Sequence, residues 1–388
     1  MCAALTLTEQ VKQIANDVAA VHADAVDREA RFPHEAIAAL KQAGLMSAYV
    51  PQSLGGAGVS LRELVVMCDT LARACASTAM IFAMHQIQVI TIVDHAPDDA
   101  WFSQYLRDLV QHQYLIASVT SEVNVGGEMR RSQCAVESDG QRYHVVKDAT
   151  TISYGAQADD LLLTARRNAE AGPSDQVLIL LRKGDFTLEQ KGNWDTMGMR
   201  GTCSPPFLVT ASGDAAQIMK VPFGDMSART VVPVSHLLWG GCWSGCASAA
   251  VNKARAFVRK QARSKPGTVP PTATRLAELV SMLQGLRSAV EACLHEYEVL
   301  SAREDAATGP LSSIGYSVRM NNLKIDATEE LPRIVQKALS ICGIVAYKNG
   351  TPFSMNRHVR DSLSAMLMVG NDRILATNAN LLLVLKDD

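Results

Sequence analysis

Apolar residues recur every three to four positions through residues 5–115, which predicts amphipathic helices. Val11, Ile14 and Val18 share one face behind Thr6-x-x-Glu9, whose hydroxyl and carboxylate suit a capping box. In "FPHEAIAALKQAGL", Pro33 fits a first helical turn, Ile37 and Leu40 share a face, and Gly44 fits a C-terminal cap. "VPQSLGGAGVSLREL" reads as a loop that restarts a helix at Ser60, with Glu63 three residues on. From about Leu115 to Pro222 the period changes. "YHVVKDATTISY", "DDLLLTARR" and "QVLILL" are short β-branched or apolar runs separated by turn material, as in a small antiparallel sheet or barrel.

The helical period returns after "VPFGD". "CWSGCASAAVNKARAFVRKQAR" is rich in small residues that permit close helix approach, and Leu276, Leu279, Leu283, Leu286 and Val290 line the next helix. Two more helical segments, about 313–342 and 357–386, finish the chain. The pattern predicts an α+β, mainly α protein: an N-terminal helical domain over 1–115, a middle β-barrel domain over 116–224, and a C-terminal four-helix bundle over 225–388.

The 388 residues suit two or three sub-domains. A net charge of −2 without a basic cluster argues against binding nucleic acid by phosphate neutralisation. The nine cysteines have no Cys-x-x-Cys pair and no metal-ligand spacing, so no metal is expected and a reducing compartment is. The N-terminus has no basic start with an apolar core, and no apolar run reads as a membrane span; the expectation is a cytoplasmic enzyme.

Five local motifs, in order, change the picture. They are "FPHEAIAALKQAGLMSAYVPQSLGGAGVS", "SEVNVGGE", "TISYGAQADDLLLTAR", "WDTMGMRGT" and "RHVRDS". Together with the helix–sheet–helix order they resemble the acyl-CoA dehydrogenase superfamily over nearly the whole chain. The resemblance implies an FAD-dependent oxidoreductase acting on an acyl thioester, carried by CoA or a carrier protein, at its CH–CH group. It also implies an electron-accepting flavoprotein or O2 as partner, and a homotetramer or homodimer.

A flavin ring that accepts a hydride needs hydrogen-bond donors around it, because negative charge builds on the ring. By the resemblance, Ser121 and the backbone from Val119 to Val123 line its pyrimidine side. Ser153 takes the place of a threonine beside N5, and Thr151 that of a shielding tryptophan. Arg259 matches an arginine that reaches the FAD pyrophosphate of a neighbouring subunit, a task suited to its planar fork. Gly343 and Asn371 fall beside the cofactor, and Gly127 and Ser235 beside the substrate. Apart from the resemblance, Ser121 and Ser153 read as strand-end hydroxyls and Arg259 as a solvated charge. "WDTMGMRGT" reads as a turn that holds the sheet.

Dehydrogenation needs a base for the α-proton, and the family supplies a carboxylate from one of two positions. Here these are Val369, in "MLMVGNDRIL", and Ser235-His236, in "PVSHLLWGG"; neither holds a carboxylate. His236 is the candidate substitute, since an imidazole has an ordinary pKa near ~6.5. Its plainer reading is an inert, hydrogen-bonded histidine filling space. Asp372 is read as an ion-pair partner of Arg373 or Arg360, and His85 as structural. Two other functions follow from the missing base: a flavin-dependent monooxygenase of the same fold using reduced flavin and O2, and an inactive FAD-binding relative.

Overall fold

Both predicted capping boxes form: the Thr6 and Ser60 hydroxyls accept from the Glu9 and Glu63 amides, and each glutamate returns a bond to its cap. They open α1 (Leu7–Ile14) and α4 (Leu61–Ala74) in a computed structural model that describes residues 5–126, 128–303, 305 and 309–385. Between them lie α2 (Ala20–Glu29) and α3 (His34–Gln42), and after them α5 (Ala76–His95) and α6 (Ala100–His112). Gly44 adopts φ 73°, as a helix stop requires. By length and composition α5 is apolar enough to cross a membrane, which corrects the sequence reading. It is instead the core helix of the N-terminal part, enclosed on nearly all sides from Ala76 to Ile92.

The middle part, expected as a small antiparallel sheet or barrel, is built of two sheets. β1 (Ile116–Val119), β4 (Asp160–Arg166) and β5 (Gln176–Leu181) form one, with β1 parallel to β4. β2 (Glu137–Ser138), β3 (Arg142–Ala149), β7 (Phe207–Asp214) and β6 (Phe186–Gln190) form the other, antiparallel throughout. The reason lies in burial. β5 is buried at every residue and β4 at all but Arg166, the pattern of a sheet covered on both faces, whereas β3 and β7 alternate.

The C-terminal part begins with the single turn α7 (Phe223–Met226) and continues through α8 (Val232–Ser264), α9 (Thr272–Ser301), α10 (Ile314–Cys342), the short α11 (Ile344–Tyr347), α12 (Asn356–Ser364) and α13 (Asn371–Leu382). Leu279, Leu283, Leu286 and Val290 of α9 are buried as their spacing predicts. The small residues of α8 let it lie directly on α4: a Cβ added to Gly245 would stand 2.2 Å from the Asp69 carbonyl oxygen. Pro332 sits inside α10 and removes the N–H that Thr328 C=O would otherwise receive.

The Trp194–Thr202 loop binds the three parts together. The Met199 amide donates to Asp361 Oδ1 of α12 at 2.7 Å, and Arg200 Nε donates to the Asp27 carbonyl of α2 at 2.9 Å. Gly198 lies so close to the Arg360 backbone that a Cβ would come within 2.1 Å of its oxygen. Arg360 pairs with Asp27, Nη1 to Oδ1 at 3.0 Å; Asp372, expected to pair with Arg373 or Arg360, is exposed at the start of α13 and pairs with neither among the described residues.

Candidate functional site

Two clusters of the predicted site residues form. The first lies where β1 ends. Ser121 Oγ donates to the Thr151 carbonyl at 2.7 Å and accepts from the Thr151 amide at 3.0 Å, which fastens the 151–153 turn beside the strand. Ser153 Oγ accepts from Ser204 Oγ at 2.9 Å. The backbone N–H groups of Ser121 and Ser153 make no hydrogen bond within the described residues. Two free amides on partly exposed turns, with the hydroxyls pinned behind them, are a donor set that fits a flavin ring accumulating negative charge.

Glu122 holds this arrangement from behind. Its carboxylate accepts from the Gln133 and Cys134 amides at 3.0 and 2.7 Å and from Ser132 Oγ at 2.7 Å, and it lies 3.6 Å from the enclosed amine of Lys147. Lys147 also donates to the Thr164 carbonyl at 2.7 Å. The Val119 side chain, by contrast, is fully buried in the core, and its backbone pairs with Leu163. Val123 spends its amide on the Asp148 carbonyl. Gly127 lies outside the described residues.

The second cluster joins α8, α10 and the corner between α12 and α13. His236 is 3% exposed, and its Nδ1–H donates to the Met320 carbonyl at 2.9 Å. That bond leaves Nε2 as the open nitrogen of the ring. Burial, with a further contribution from the charge of Lys324, pushes the His236 pKa down to about 4. One turn on, the Trp239 ring centres 6.1 Å from His236, and its indole N–H is buried without a partner among the described residues. Ser235 turns its hydroxyl back onto the Val231 carbonyl of its own helix, so that donor is not offered to a substrate.

Val369 takes φ 50°, a left-handed conformation costly for a β-branched residue. Its carbonyl accepts from Lys324 Nζ at 3.0 Å, and the same amine donates to Asn371 Oδ1 at 2.7 Å. Asn371 Nδ2 in turn donates to Thr328 Oγ1 at 3.1 Å. Both ends of the Asn371 side chain are therefore committed to α10 rather than open to a cofactor. Lys324 is 0% exposed, and burial lowers its pKa to about 8. Sequence reading missed it because a lysine in a helix ordinarily marks the solvent face. The available signal was its place: eight residues before Pro332, among apolar neighbours at helical spacing.

The remaining predicted residues stand apart. Arg259 is exposed on α8 and makes no ion pair or hydrogen bond among the described residues. Gly343, with φ 64°, caps α10 with open space where a Cβ would be. His85 is enclosed between the Met46 carbonyl and the Ile116 amide, a structural role. Two open grooves lie elsewhere. One, about 690 Å³, is lined by Arg255, Leu283, Arg287 and His295; the other, about 410 Å³, by Tyr49, Gly58 and Tyr297.

A helical–sheet–helical chain with such a donor face has the architecture of a flavin-dependent oxidoreductase. Comparison with known proteins gives the family. The N-terminal domain of acyl-CoA dehydrogenases matches residues 3–113, and the C-terminal domain matches residues 228–380. The chain belongs to the acyl-CoA dehydrogenase superfamily. It is 24% identical over 207 residues to the mitochondrial isovaleryl-CoA dehydrogenase of Arabidopsis thaliana, covering 52% of this chain and 51% of that one. It is 22% identical over 356 residues to the mitochondrial isobutyryl-CoA dehydrogenase of Dictyostelium discoideum, covering 90% and 81%. The chain spans about half the length of most of the curated relatives it matches. Among solved structures, FMN-bound TdsC from Paenibacillus sp. A11-2 superposes with a TM-score of 0.83 at 19% identity, covering 97% of this chain and 96% of that one. KijD3 in complex with dTDP gives 0.84 at 22% identity, covering 99% of each.

Proposed function

We propose that the protein is a flavin-dependent monooxygenase built on the acyl-CoA dehydrogenase fold. The observation that carries this reading is the corner at Val369. The position that bears a carboxylate base in the dehydrogenases here offers a valine side chain, and its carbonyl is taken by the amine of Lys324. The second position offers Ser235, whose hydroxyl is spent on its own helix, and His236, a weak base at about 4. A site so arranged is poorly equipped to remove the α-proton of a thioester. The likeness of fold to TdsC, the dibenzothiophene monooxygenase of Paenibacillus sp. A11-2, supports the same direction.

On this reading the Ser121 and Ser153 amides would hold FAD, or FMN in its place, and Arg259 would be free to meet a phosphate. A bound reduced flavin supplies the two electrons with which O2 is divided between substrate and water. The protein's own part is to donate hydrogen bonds from Ser121 and Ser153, to enclose the reacting region with Trp239 and Val369, and to accept a hydrogen bond from the substrate at His236 Nε2. An external reductase and O2 are then the redox partners.

The second reading, acyl-thioester oxidation with His236 as base, is favoured by that same open Nε2. One pair of assays separates them. Flavin-loaded protein is mixed anaerobically with butyryl-CoA and its absorbance followed; separately, with a flavin reductase, NADH, labelled O2 and indole, the products are analysed by mass spectrometry. Bleaching by butyryl-CoA overturns the monooxygenase reading, and label incorporated into indole supports it.

A further inference from the structure

The geometry points to Lys324 as the positioning residue of the candidate site: its enclosed amine holds the strained Val369 corner in place from α10. This rests on the reading that the corner between α12 and α13 borders the reacting region. Three observations carry it. First, Lys324 donates only to neutral oxygens, the Val369 carbonyl at 3.0 Å and Asn371 Oδ1 at 2.7 Å, and no carboxylate lies within ion-pair distance among the described residues. A buried amine without an acidic partner is costly, so its retention calls for a purpose beyond stability. Second, the residue it grips is in a left-handed conformation that a β-branched side chain resists. Released from that grip, Val369 has every local reason to relax, and its side chain would swing away from where it now stands against the core.

Third, the grip belongs to a ladder along one face of α10. Met320, Lys324 and Thr328 are spaced by four, which stacks them on one stripe of the helix. Met320 accepts from His236, Lys324 donates to Val369 and Asn371, and Thr328 accepts from Asn371 at 3.1 Å. One helical face thus sets the ring orientation of the candidate acid–base residue and the placement of the opposite wall. Pro332 ends the ladder by leaving the Thr328 carbonyl without its intrahelical donor.

The test needs neither flavin nor substrate, so its outcome is separate from that of the monooxygenase reading. Amide hydrogen exchange is measured in wild type, Lys324→Met, Asn371→Ser, Val369→Gly and the Lys324→Met/Val369→Gly double variant. The reporter is the Asn371 amide, which donates to the Met366 carbonyl across the corner at 3.1 Å. Lys324→Met is expected to speed its exchange at least tenfold while amides in the first half of α8 keep their wild-type rates. Asn371→Ser, which removes one acceptor and spares the amine, is expected to give a smaller acceleration. Glycine at 369 removes the conformational resistance, so in the Val369→Gly background Lys324→Met is expected to have a much smaller effect. Unchanged Asn371 exchange in Lys324→Met, or an equal effect in both backgrounds, overturns the assignment. Should Lys324→Met fail to fold, the Asn371→Ser measurement decides: no acceleration there overturns it as well.

Discussion

His236 and Met320 stand 84 residues apart in the chain and 2.9 Å apart in space, ring Nδ1–H to backbone carbonyl. The bond assigns the tautomer, because a ring that donates from Nδ1 carries its lone pair on Nε2. His236→Ala is therefore expected to bind flavin at normal stoichiometry. In whichever of the two assays proves positive, it should lose about a hundredfold or more in turnover, the range for removing a positioned proton-transfer group. Wild-type turnover in that variant would return His236 to the role of space filler.

Acid should unfold this protein from pH 6.5 downward. Burial depresses His85 and His236 to about 4, and His358 well below its ordinary value. Each takes up a proton on unfolding between its folded and unfolded pKa values. The stability it contributes is complete above about 6.5 and is lost as pH falls toward 4, at up to about 1.4 kcal/mol per pH unit and group. Asp361, raised to about 6 by its own burial, acts in the opposite sense over the same window. His95, also lowered to about 4, adds to the loss and Asp94, also raised to about 6, adds to the opposition, so four histidines face two carboxylates raised that far. Melting temperature is expected to drop steadily between pH 7 and pH 5, and a flat profile would contradict the enclosed placement of these rings.

Arg259→Ala should distinguish the two flavins. If the guanidinium meets the pyrophosphate of FAD, losing a charged hydrogen bond costs about 1.5–3 kcal/mol, or roughly ten- to a hundredfold in affinity. FMN has no pyrophosphate, so its affinity should hardly move. Fluorescence titration of the apoprotein with each flavin reads the difference, and equal weakening of both would remove Arg259 from the cofactor site.

The Glu122–Lys147 pair predicts an asymmetry in stability. Lys147→Met alone leaves a buried carboxylate with three hydrogen bonds and no counterion, and should cost about 3–5 kcal/mol. Glu122→Leu combined with Lys147→Met should cost less than the two single changes added together. Urea denaturation of the three variants tests the comparison, and strict additivity would show that the pair is not coupled.

Much of this was legible in the residues, and the line between what was and was not is physical. Thr6 with Glu9, and Ser60 with Glu63, cap helices through bonds three residues long, so pattern alone finds them. Leu279 to Val290 announce their burial by spacing. The parallel pairing of β1 with β4 joins Ile116 to Asp160 across an intervening sheet, and no local signal records it. Arg360 finds Asp27, 333 residues away, over the nearer Asp372. Lys324 and Trp239 were missed for a related reason. What matters in each is an unusual environment for an ordinary helix residue, and that environment is assembled only by the fold. The left-handed turn at Val369 was hidden because valine is the type of residue that argues against it.

The Met199–Asp361 bond has a consequence for the segment that follows it. Asp361 moors α12 to the middle sheets, and ten residues later Asn371 is moored to α10. The stretch between is a span fixed at both abutments. An inserted or deleted residue there would have to buckle the span toward the site or tear one mooring loose. A change of length there strains both moorings at once.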